Sequence, residues 1–376
     1  MMLQQKYMKR LSIITWVGSA NYGTSLQCFA LYKKLNNMGY EVACLRPFEQ
    51  PFTWKSALKN VAKHLGILYL IRRLSFARTP KLRKTYNFMT RYYVTDSVYC
   101  SYSLKKLLRN TDVFITGSDQ IWNTYYKYDP FYFLGFTDCN KKISYASSIG
   151  ADNIPQEYYE KVHNHLTQFS HIAVREDTAV KVLKDMLGRD DITKVLDPTL
   201  LLESEEWKSI AQKAEIEVPL PSRYILCYFV GNNDSYIQYV ERIKQLTGIN
   251  DVIMITSIEH PDFTIPSALL YRNAGPIEFV SLIQNASFVC TDSFHATVFS
   301  INLSRNFAEF VRFKDGEKKA QNSRIYDVLE HYNLMDRLCT DKYFIQEECV
   351  DFDKVHSILE NDRKISLDYL VSSIEK

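Results

Sequence analysis

Residues 11–47 read LSIITWVGSANYGTSLQCFALYKKLNNMGYEVACLRP. An apolar run at 11–15 is followed by a loop of small residues and then by a helical pattern. That pattern starts near Thr24 and ends at Gly39, where a glycine commonly terminates a helix. A second apolar run, at 41–47, predicts the next strand. A strand, a helix and another strand in this order build parallel sheets, so the stretch predicts an α/β fold.

The alternation of strands and helices continues along the chain. Further strands are predicted at 112–116, 142–148, 171–175, 223–231, 251–256 and 287–291. The run 195–202 closes the first half of this series, and Pro198 is expected to end regular structure there. The polar stretch 203–222, rich in Glu and with two prolines, divides this series. We therefore expect two Rossmann-like domains that face a cleft, the GT-B arrangement. The predicted domains are 1–205 and 220–345, followed by a helical tail, 346–376, that packs back on the first domain.

The composition narrows the function classes. The chain has 376 residues, with 46 Lys+Arg against 43 Asp+Glu and a net charge of +3. That balance argues against a dedicated nucleic-acid binder. No apolar run reaches the roughly 20 residues that span a bilayer, and the polar first ten residues do not indicate a signal peptide. The eight cysteines are scattered without a C-x-x-C pair, which predicts a reduced cytoplasmic protein without a metal site.

One segment departs from this charge balance. Between Glu49 and Asp96 there is no acidic residue. The ten cations there are Lys55, Lys59, Lys63, Arg72, Arg73, Arg78, Lys81, Arg83, Lys84 and Arg91. Apolar residues alternate with them, as in a basic amphipathic helix that lies on an anionic membrane or meets a phosphorylated ligand. A solvated helical face with extended lysines is the alternative. The first reading predicts peripheral contact at the inner face of the membrane through 55–91.

Polar motifs follow the predicted strands, where ligands bind in open parallel sheets. They are NYGT (21–24), TGSDQIWN (116–123), SYASSIG (144–150), VREDTA (174–179), VLDPTLLL (195–202), CTDSFHATVFS (290–300) and NSRI (322–325). In these motifs, and in their order over about 11–340, the chain resembles the polysaccharide pyruvyl transferase family.

The resemblance implies a GT-B-like fold and a reaction. Pyruvate would pass from phosphoenolpyruvate to two hydroxyls of a sugar and form a cyclic ketal during cell-surface polysaccharide assembly. Phosphoenolpyruvate is then a donor substrate, no cofactor is expected, and the acceptor sugar is expected on a lipid-linked intermediate. Two alternatives stay open. One is a nucleotide-sugar-dependent GT-B glycosyltransferase, and the other is a non-catalytic protein that binds a glycan or a lipid carrier.

The motif CTDSFHATVFS supplies the expected proton-transfer group. His295 follows a predicted strand, and its imidazole can move protons near neutral pH. Asp292 either orients His295 or caps the following helix. Many family members resemble S-x-R-x-H here, whereas this chain has Ser293 at the arginine position. The resemblance also assigns donor binding to Arg175, whose alternative is a salt bridge to the acids that follow it.

Arg324 is the proposed replacement for the arginine missing at Ser293. It lies at the start of a predicted helix, where a cation opposes the helix dipole unless an anion binds there. With Arg175 it would hold the carboxylate and phosphate of the donor. The alternative is a surface arginine paired with Asp327 or Glu330.

The acceptor side is predicted on two loops of the first domain. The residues expected to bind the acceptor are Asn21, Gly23, Gln120, Trp122 and Asn123. Asp119 is expected either to act as a base on an acceptor hydroxyl or to hold its own loop by hydrogen bonds. Trp122 either stacks on a sugar or is buried beneath the loop. The absence of G-x-G-x-x-G argues against a dinucleotide site.

Overall fold

A computed structural model describes residues 8–17, 21–64, 80–138, 140–256, 262–312, 323–340, 342–345 and 349–376. The first sheet has the strand order β3-β2-β1-β4-β5, with every ladder parallel. Its strands are β1 (Arg10–Ile14), β2 (Glu41–Leu45), β3 (Thr95–Asp96), β4 (Val113–Thr116) and β5 (Lys141–Ser144). Single bridges from β5 and the loop after it lead to the parallel pair β6 (Ala173–Val174) and β7 (Thr193–Lys194).

The second sheet is also parallel throughout, with the order β10-β9-β8-β11-β12-β13. Its strands are β8 (Ile225–Tyr228), β9 (Val252–Ile255), β10 (Leu269–Tyr271), β11 (Phe288–Thr291), β12 (Phe307–Phe310) and β13 (Leu338–Cys339). In the first sheet β1 lies between β2 and β4, and in the second sheet β8 lies between β9 and β11. Both sheets thus have the doubly wound Rossmann order. Two Rossmann-like domains are therefore present.

Helices connect these strands. In the first domain they are α1 (Tyr22–Asn37), α2 (Trp54–His64), α3 (Pro80–Tyr92), α4 (Ser101–Asn110), α5 (Gln156–Leu166), α6 (Asp177–Leu187), α7 (Pro198–Leu201) and α8 (Ser204–Ala211). Then follow α9 (Ser235–Thr247), α10 (Pro276–Asn285), α11 (Phe294–Asn302), α12 (Ser323–His331) and α13 (Phe352–Glu375). No described helix is long and apolar enough to cross a bilayer.

Pro198 corrects one expectation from the sequence. Pro198 was expected to end the regular structure of the run 195–202, but it begins the short helix α7. Proline fits the first helical position because its missing N–H would have no partner there. Asp197 caps this helix, since its side chain accepts from the Thr199 backbone N–H at 3.0 Å. Asp197 is thereby fixed at the end of the first domain that faces the second.

Helix packing joins the two domains into a shared apolar core. Tyr22 of α1 stacks on Phe279 of α10, with ring centroids 4.8 Å apart. The Tyr22 hydroxyl also donates to the Ala274 carbonyl at 3.1 Å. Trp207 of α8 packs edge-on against Phe299 of α11, at 4.8 Å. These contacts hold the amino-terminal end of α1, and α8, against the second domain.

The last helix, α13, returns to the first domain. The Tyr369 hydroxyl donates to the Ser144 carbonyl of β5 at 2.9 Å, and Ser366 Oγ accepts from the Leu196 N–H at 3.0 Å. Glu375 forms an ion pair with Lys9 at 3.0 Å. The chain therefore crosses between the domains twice, after α8 and before α13.

The described part of the basic segment 55–91 does not form one exposed surface. Residues 65–79, including Arg72 and Arg73, lie outside the described residues. In α3, Lys84 forms ion pairs with Glu217 at 2.9 Å and Glu278 at 3.3 Å, and its side chain is 14% exposed. Its neighbour Lys81 donates to the Thr256 carbonyl at 2.9 Å. These two lysines hold the domains together, which corrects the expectation that they face a membrane.

Candidate functional site

The polar loops lie at the switch point of each sheet. In the first sheet β1 and β4 are neighbours, and the chain leaves them toward α1 and the Asp119 loop. In the second sheet β8 and β11 are neighbours, and α11 follows β11. Ligands bind at such points because the two following connections diverge and leave a crevice. Both crevices open into the same interdomain cleft, since α1 packs against the second domain.

His295, in the first turn of α11, reaches across this cleft. It is 8% exposed, and its ring lies against the first turn of α1. A Cβ on Gly23 would overlap the ring atoms Nδ1 and Cγ and lie 2.6 Å from Cε1. Gly23 was expected to let an acceptor approach the backbone. In this structure the group that approaches the Gly23 backbone is the His295 ring. Only glycine leaves room for the imidazole at this position.

Asp197 is the carboxylate closest to the other edge of that ring. Its Oδ2 lies 3.8 Å from His295 Nε2 and accepts from Arg175 Nη1 at 2.8 Å. Ser118 Oγ donates to the same oxygen at 2.9 Å. Burial opposes ionisation of Asp197, but His295, when its ring is protonated, and the permanent charge of Arg175 hold its pKa below the usual value. A buried, ionised carboxylate thus joins the histidine to the arginine.

The electrostatic surroundings of His295 favour the neutral imidazole. Burial lowers its pKa, and Arg175 and Arg324 act in the same direction, whereas Asp197 and Asp119 oppose them. Nε2 is buried and has no hydrogen-bond partner among the described residues. A neutral ring with an available nitrogen can accept a proton near neutral pH. An anion bound beside it would raise the pKa and let the ring hold that proton.

Arg175 follows β6 and is almost completely buried. Besides its bond to Asp197, its Nε contacts Glu176 Oε1 at 3.3 Å, and the guanidinium lies 4.2 Å from the centre of the Phe294 ring. The expected salt bridge to Glu176 is therefore present. Its Nη2 nevertheless has no partner in the described residues. A buried guanidinium N–H without an acceptor is costly, so this edge of Arg175 suits an anionic ligand.

Arg324 shares a cavity with Arg175. This cavity, of about 340 Å³, is lined by both arginines and by Glu176, Asp197, Phe294, Asp327 and Ile365, among others. Arg324 is 8% exposed, and burial together with the charge of Arg175 lowers its pKa to about 10. It remains a cation at neutral pH. The volume falls within the range of roughly 300–1,000 Å³ that small-molecule sites occupy.

A family model described as polysaccharide pyruvyl transferase matches residues 21–308. The chain belongs to this family. No curated protein sequence matches it significantly. The family match covers the loops that carry Gly23, Arg175, Asp197 and His295, whereas Arg324 lies beyond it.

Solved structures similar to this one have the GT-B fold. The UDP-GlcNAc 2-epimerase from Neisseria meningitidis, solved with UDP-GlcNAc, superposes with a TM-score of 0.51 at 11% identity, covering 97% of this chain and 100% of that one. A putative UDP-N-acetylglucosamine 2-epimerase from Listeria monocytogenes gives 0.50 at 10% identity, covering 96% and 88%. These similarities confirm the expected fold class, and at such low identity they say nothing of the reaction.

Ser293 occupies the position where many members of the pyruvyl transferase family were expected to carry arginine. It is 6% exposed and begins α11 without a side-chain cap hydrogen bond. Its carbonyl accepts from the Thr297 hydroxyl at 3.0 Å. A hydroxymethyl group cannot supply the charge of an arginine, so the cations of this cavity are Arg175 and Arg324, with Lys194 also in the lining.

Asp292 has neither of its expected roles. Its two oxygens accept from the backbone N–H groups of Val230 at 2.6 Å and Gly231 at 2.7 Å, and from the Tyr236 hydroxyl at 3.0 Å. Arg312 Nε lies 3.4 Å away. The carboxylate fixes the loop after β8 and points away from the helix end it was expected to cap. The acid beside His295 is Asp197.

Asp119 holds its own loop and ties it to α1. Its Oδ2 accepts from Thr24 Oγ1 at 2.6 Å and its Oδ1 from the Gln120 N–H at 2.9 Å. Its backbone has a φ of 76°, which aspartate tolerates better than most residues. This arrangement matches the expected loop-holding alternative. The carboxylate still acts on His295 by its charge, because it raises the pKa of that ring.

The residues expected to bind the acceptor are engaged in contacts within the protein. Trp122 is 1% exposed, donates to the Tyr132 carbonyl at 3.0 Å and packs on Phe133, so it cannot stack on a sugar. Asn123 Nδ2 donates to Gln120 Oε1 at 2.9 Å, and both residues are buried. Asn21 caps α1, accepting from the Thr24 N–H at 3.3 Å. The structure therefore corrects the role expected of Trp122 and gives Gln120, Asn123 and Asn21 loop-holding contacts.

The described residues contain no group of three or more His, Cys, Asp or Glu side chains that could hold a metal. Asp197 and Glu176 are the functional candidates that the sequence did not single out. Asp197 could have been identified from the sequence because it precedes Pro198 at a strand end, within the motif VLDPTLLL.

Proposed function

We propose that this protein transfers pyruvate from phosphoenolpyruvate to two hydroxyls of a sugar and forms a cyclic ketal. One observation carries the proposal. Arg175 lines a cavity together with Arg324, and its buried Nη2 has no hydrogen-bond partner among the described residues. The family supports pyruvyl transfer, and the pair of buried cations suits a donor with two anionic groups. In this proposal the protein is cytoplasmic and acts on a lipid-linked intermediate in cell-surface polysaccharide assembly.

The donor would span the two arginines. Phosphoenolpyruvate carries a carboxylate and a phosphate, and planar guanidinium groups bind both by paired hydrogen bonds. Arg175 is already oriented by Asp197 and Glu176, which leaves the Nη2 edge for the donor. Arg324 would meet the other anionic group and so replace the arginine missing at Ser293. Burial is the main cause of the lowered pKa of Arg324, and repulsion by Arg175 adds to it; binding of the trianion would offset that repulsion.

His295 would relay a proton between the substrates. The neutral ring accepts the proton of the first sugar hydroxyl and delivers it to the methylene carbon of the donor, which becomes a methyl group. The hydroxyl oxygen bonds to the central carbon. The second hydroxyl then bonds to that carbon as its bond to the phosphate oxygen breaks, and the second proton leaves with the phosphate. Asp197 acts as a positioning residue, because it orients Arg175 and supports the positive charge that His295 carries between these transfers.

The acceptor would bind in the same cavity. Glu176 Oε2 and Asp327 Oδ2 are buried there without partners in the described residues. Sugar hydroxyls are donors that would satisfy both carboxylates. The apolar side chains of Phe294 and Ile365 offer a surface for the sugar ring. This arrangement assigns acceptor contacts to α6 and α12, away from the Trp122 loop.

A product assay tests the proposal. The protein is incubated with phosphoenolpyruvate and sugar acceptors, and phosphate release and acceptor mass are measured, with and without a chelator. We expect a gain of one pyruvate ketal that persists in the chelator. Hexose transfer from a nucleotide sugar would instead identify the glycosyltransferase alternative, and binding without turnover the non-catalytic one.

Arg175→Lys and Arg189→Lys provide a matched pair of variants for that assay. Lysine at 175 keeps a charge for Asp197 but loses the planar fork, so donor-dependent turnover should fall steeply. Arg189 pairs with Asp191 at 2.8 Å on the surface, and its replacement should leave turnover unchanged. Equal activity in both variants would contradict the assignment of the donor site.

A further inference from the structure

Helix α2 presents an apolar face to solvent. Trp54 is 71% exposed and Leu58 is 59% exposed. Residues four apart lie on the same side of a helix, so these two side chains form one continuous apolar strip. Lys55 and Lys59 are exposed beside it. Large apolar side chains grouped on a surface indicate an interaction site more often than single exposed ones do.

The opposite face of α2 is fixed by polar contacts. Asn60 is fully buried, and its side chain accepts from the Glu49 N–H at 2.8 Å and donates to the Glu49 carbonyl at 3.2 Å. Ser56 Oγ donates to the Pro51 carbonyl at 2.7 Å. These bonds use the side of the helix that faces the protein. Trp54 and Leu58 are therefore held outward by the fold.

The position of α2 relates this strip to the cleft. The helix follows β2, which is the neighbour of β1 in the parallel sheet. Parallel strands end at the same edge, and the loops after β1 and β4 carry Gly23 and Asp119 at that edge. A surface that contacts α2 would therefore lie beside the edge of the first domain that forms the cleft.

The positive charge of this surface indicates which kind of partner it binds. The segment between Glu49 and Asp96 contains no acid, and the described cations on α2 flank the apolar strip. Lys59 contacts Glu49 at 3.4 Å, but both side chains are exposed, and such pairs contribute little. A tryptophan and a leucine bordered by lysines match an anionic bilayer surface, where aromatic rings lie at headgroup depth and lysines meet lipid phosphates.

We propose that α2 docks this protein on an anionic membrane through Trp54, Leu58, Lys55 and Lys59. The sequence led us to expect membrane contact along 55–91, whereas this proposal limits the contact to α2. It excludes Lys81 and Lys84, which bridge the domains. Docking would hold the cleft close to the bilayer, where the lipid-linked acceptor of the proposed function would lie. The docking itself does not depend on the proposed reaction.

Vesicle sedimentation tests this surface without an activity assay. The protein is mixed with phosphatidylcholine vesicles, or with vesicles that also contain phosphatidylglycerol, at low and high salt. We expect binding to the anionic vesicles that weakens with salt. Each lysine contributes about 1 kcal/mol at such a surface, so Lys55→Gln and Lys59→Gln should each weaken partitioning about fivefold. Trp54→Ala with Leu58→Ala should weaken it tenfold or more.

Two surface variants serve as matched controls. Tyr343 is 73% exposed, and the Lys354 side chain is 83% exposed in an ion pair with Asp351. Tyr343→Ala and Lys354→Gln remove comparable exposed groups outside α2 and should not change partitioning. Trp54 also provides a direct signal, because Trp122 and Trp207 are buried and Trp16 is partly so. Its emission should shift to the blue on anionic vesicles, and Trp54→Phe should abolish the shift.

Three results would overturn the proposal. Equal binding to neutral and anionic vesicles, or unchanged binding in the α2 variants, would show that this helix does not recognise an anionic bilayer. Binding to single-stranded RNA that is lost in Lys55→Gln, without any vesicle binding, would assign the same surface to nucleic acid.

Discussion

Replacing Gly23 with alanine perturbs the contact between the domains at a single point. The new methyl group would overlap the His295 ring and lie 2.6 Å from Cε1, so the imidazole must move. Overpacking of this kind costs roughly 1–3 kcal/mol. Alanine in place of glycine in a helix returns about 0.5–1 kcal/mol, which offsets part of the loss. We expect a modest net destabilisation and a large loss of turnover, because the displaced ring loses its position beside Asp197.

A double-mutant cycle isolates this contact. In a His295→Ala background the ring is absent, so Gly23→Ala should become neutral or stabilising. The coupling measured from urea unfolding should be about 1–3 kcal/mol. Gly117→Ala is the matched control, because a Cβ there meets its nearest neighbours at 3.4 Å and fits. Additive effects of the two substitutions, or wild-type turnover in Gly23→Ala, would refute the packing of His295 on α1.

Three further outcomes follow from the site. His295→Ala should lower turnover by about 10²–10⁴-fold in a protein that still folds, as judged by circular dichroism, and unchanged turnover would remove its proton-transfer role. Arg324→Ala should raise the apparent donor constant about ten- to a hundredfold, while the acceptor constant stays unchanged. Burial raises the pKa of Asp327 to about 6. The raised value means that the protonated form stabilises the fold at acidic pH and that this stability is lost as pH rises through about 6. Asp327→Asn should therefore be more stable than wild type at pH 7.5, on the order of 1 kcal/mol after allowance for solvent screening, and show no such gain near pH 4.

The alternation of elements could be predicted from the sequence because each element carries a local pattern. The apolar run at 11–15 and the glycine at 39 mark β1 and the end of α1 without any knowledge of their neighbours. The strand order could not be predicted, because β1 pairs with β4 across about a hundred residues. Pro198 shows the limit of local patterns, since a proline that ends a strand and one that starts a helix look alike.

The site was predictable where a residue follows a strand and where the family motif names it. His295 and Arg175 meet both conditions. Asp197 was missed because an aspartate before proline is an ordinary helix cap, and Asp197 does cap α7. The role of its other oxygen depends on contacts with Ser118 and Arg175, which come from different loops and could not be located from the sequence. Side-chain direction was the main source of error, since Asp292 and Trp122 lie at strand ends but turn away from the cleft.

Charge counting alone misjudged the basic segment for a related reason. Lys84 is one of ten cations in a stretch without acids, yet its partners Glu217 and Glu278 come from distant parts of the chain. A local count of charges cannot include partners that only the fold provides.

The two crossings of the chain between the domains limit how the cleft can open. A lobe held by a single connection can twist, slide and rock, whereas one held by two connections moves most easily by rocking about the line that joins them. Gly23 and Arg175 belong to the first lobe, and His295 and Arg324 belong to the second. Rocking therefore moves His295 away from Gly23 and separates the two arginines from each other in one movement. The same movement that admits a substrate would also assemble the proton-transfer group when the cleft closes.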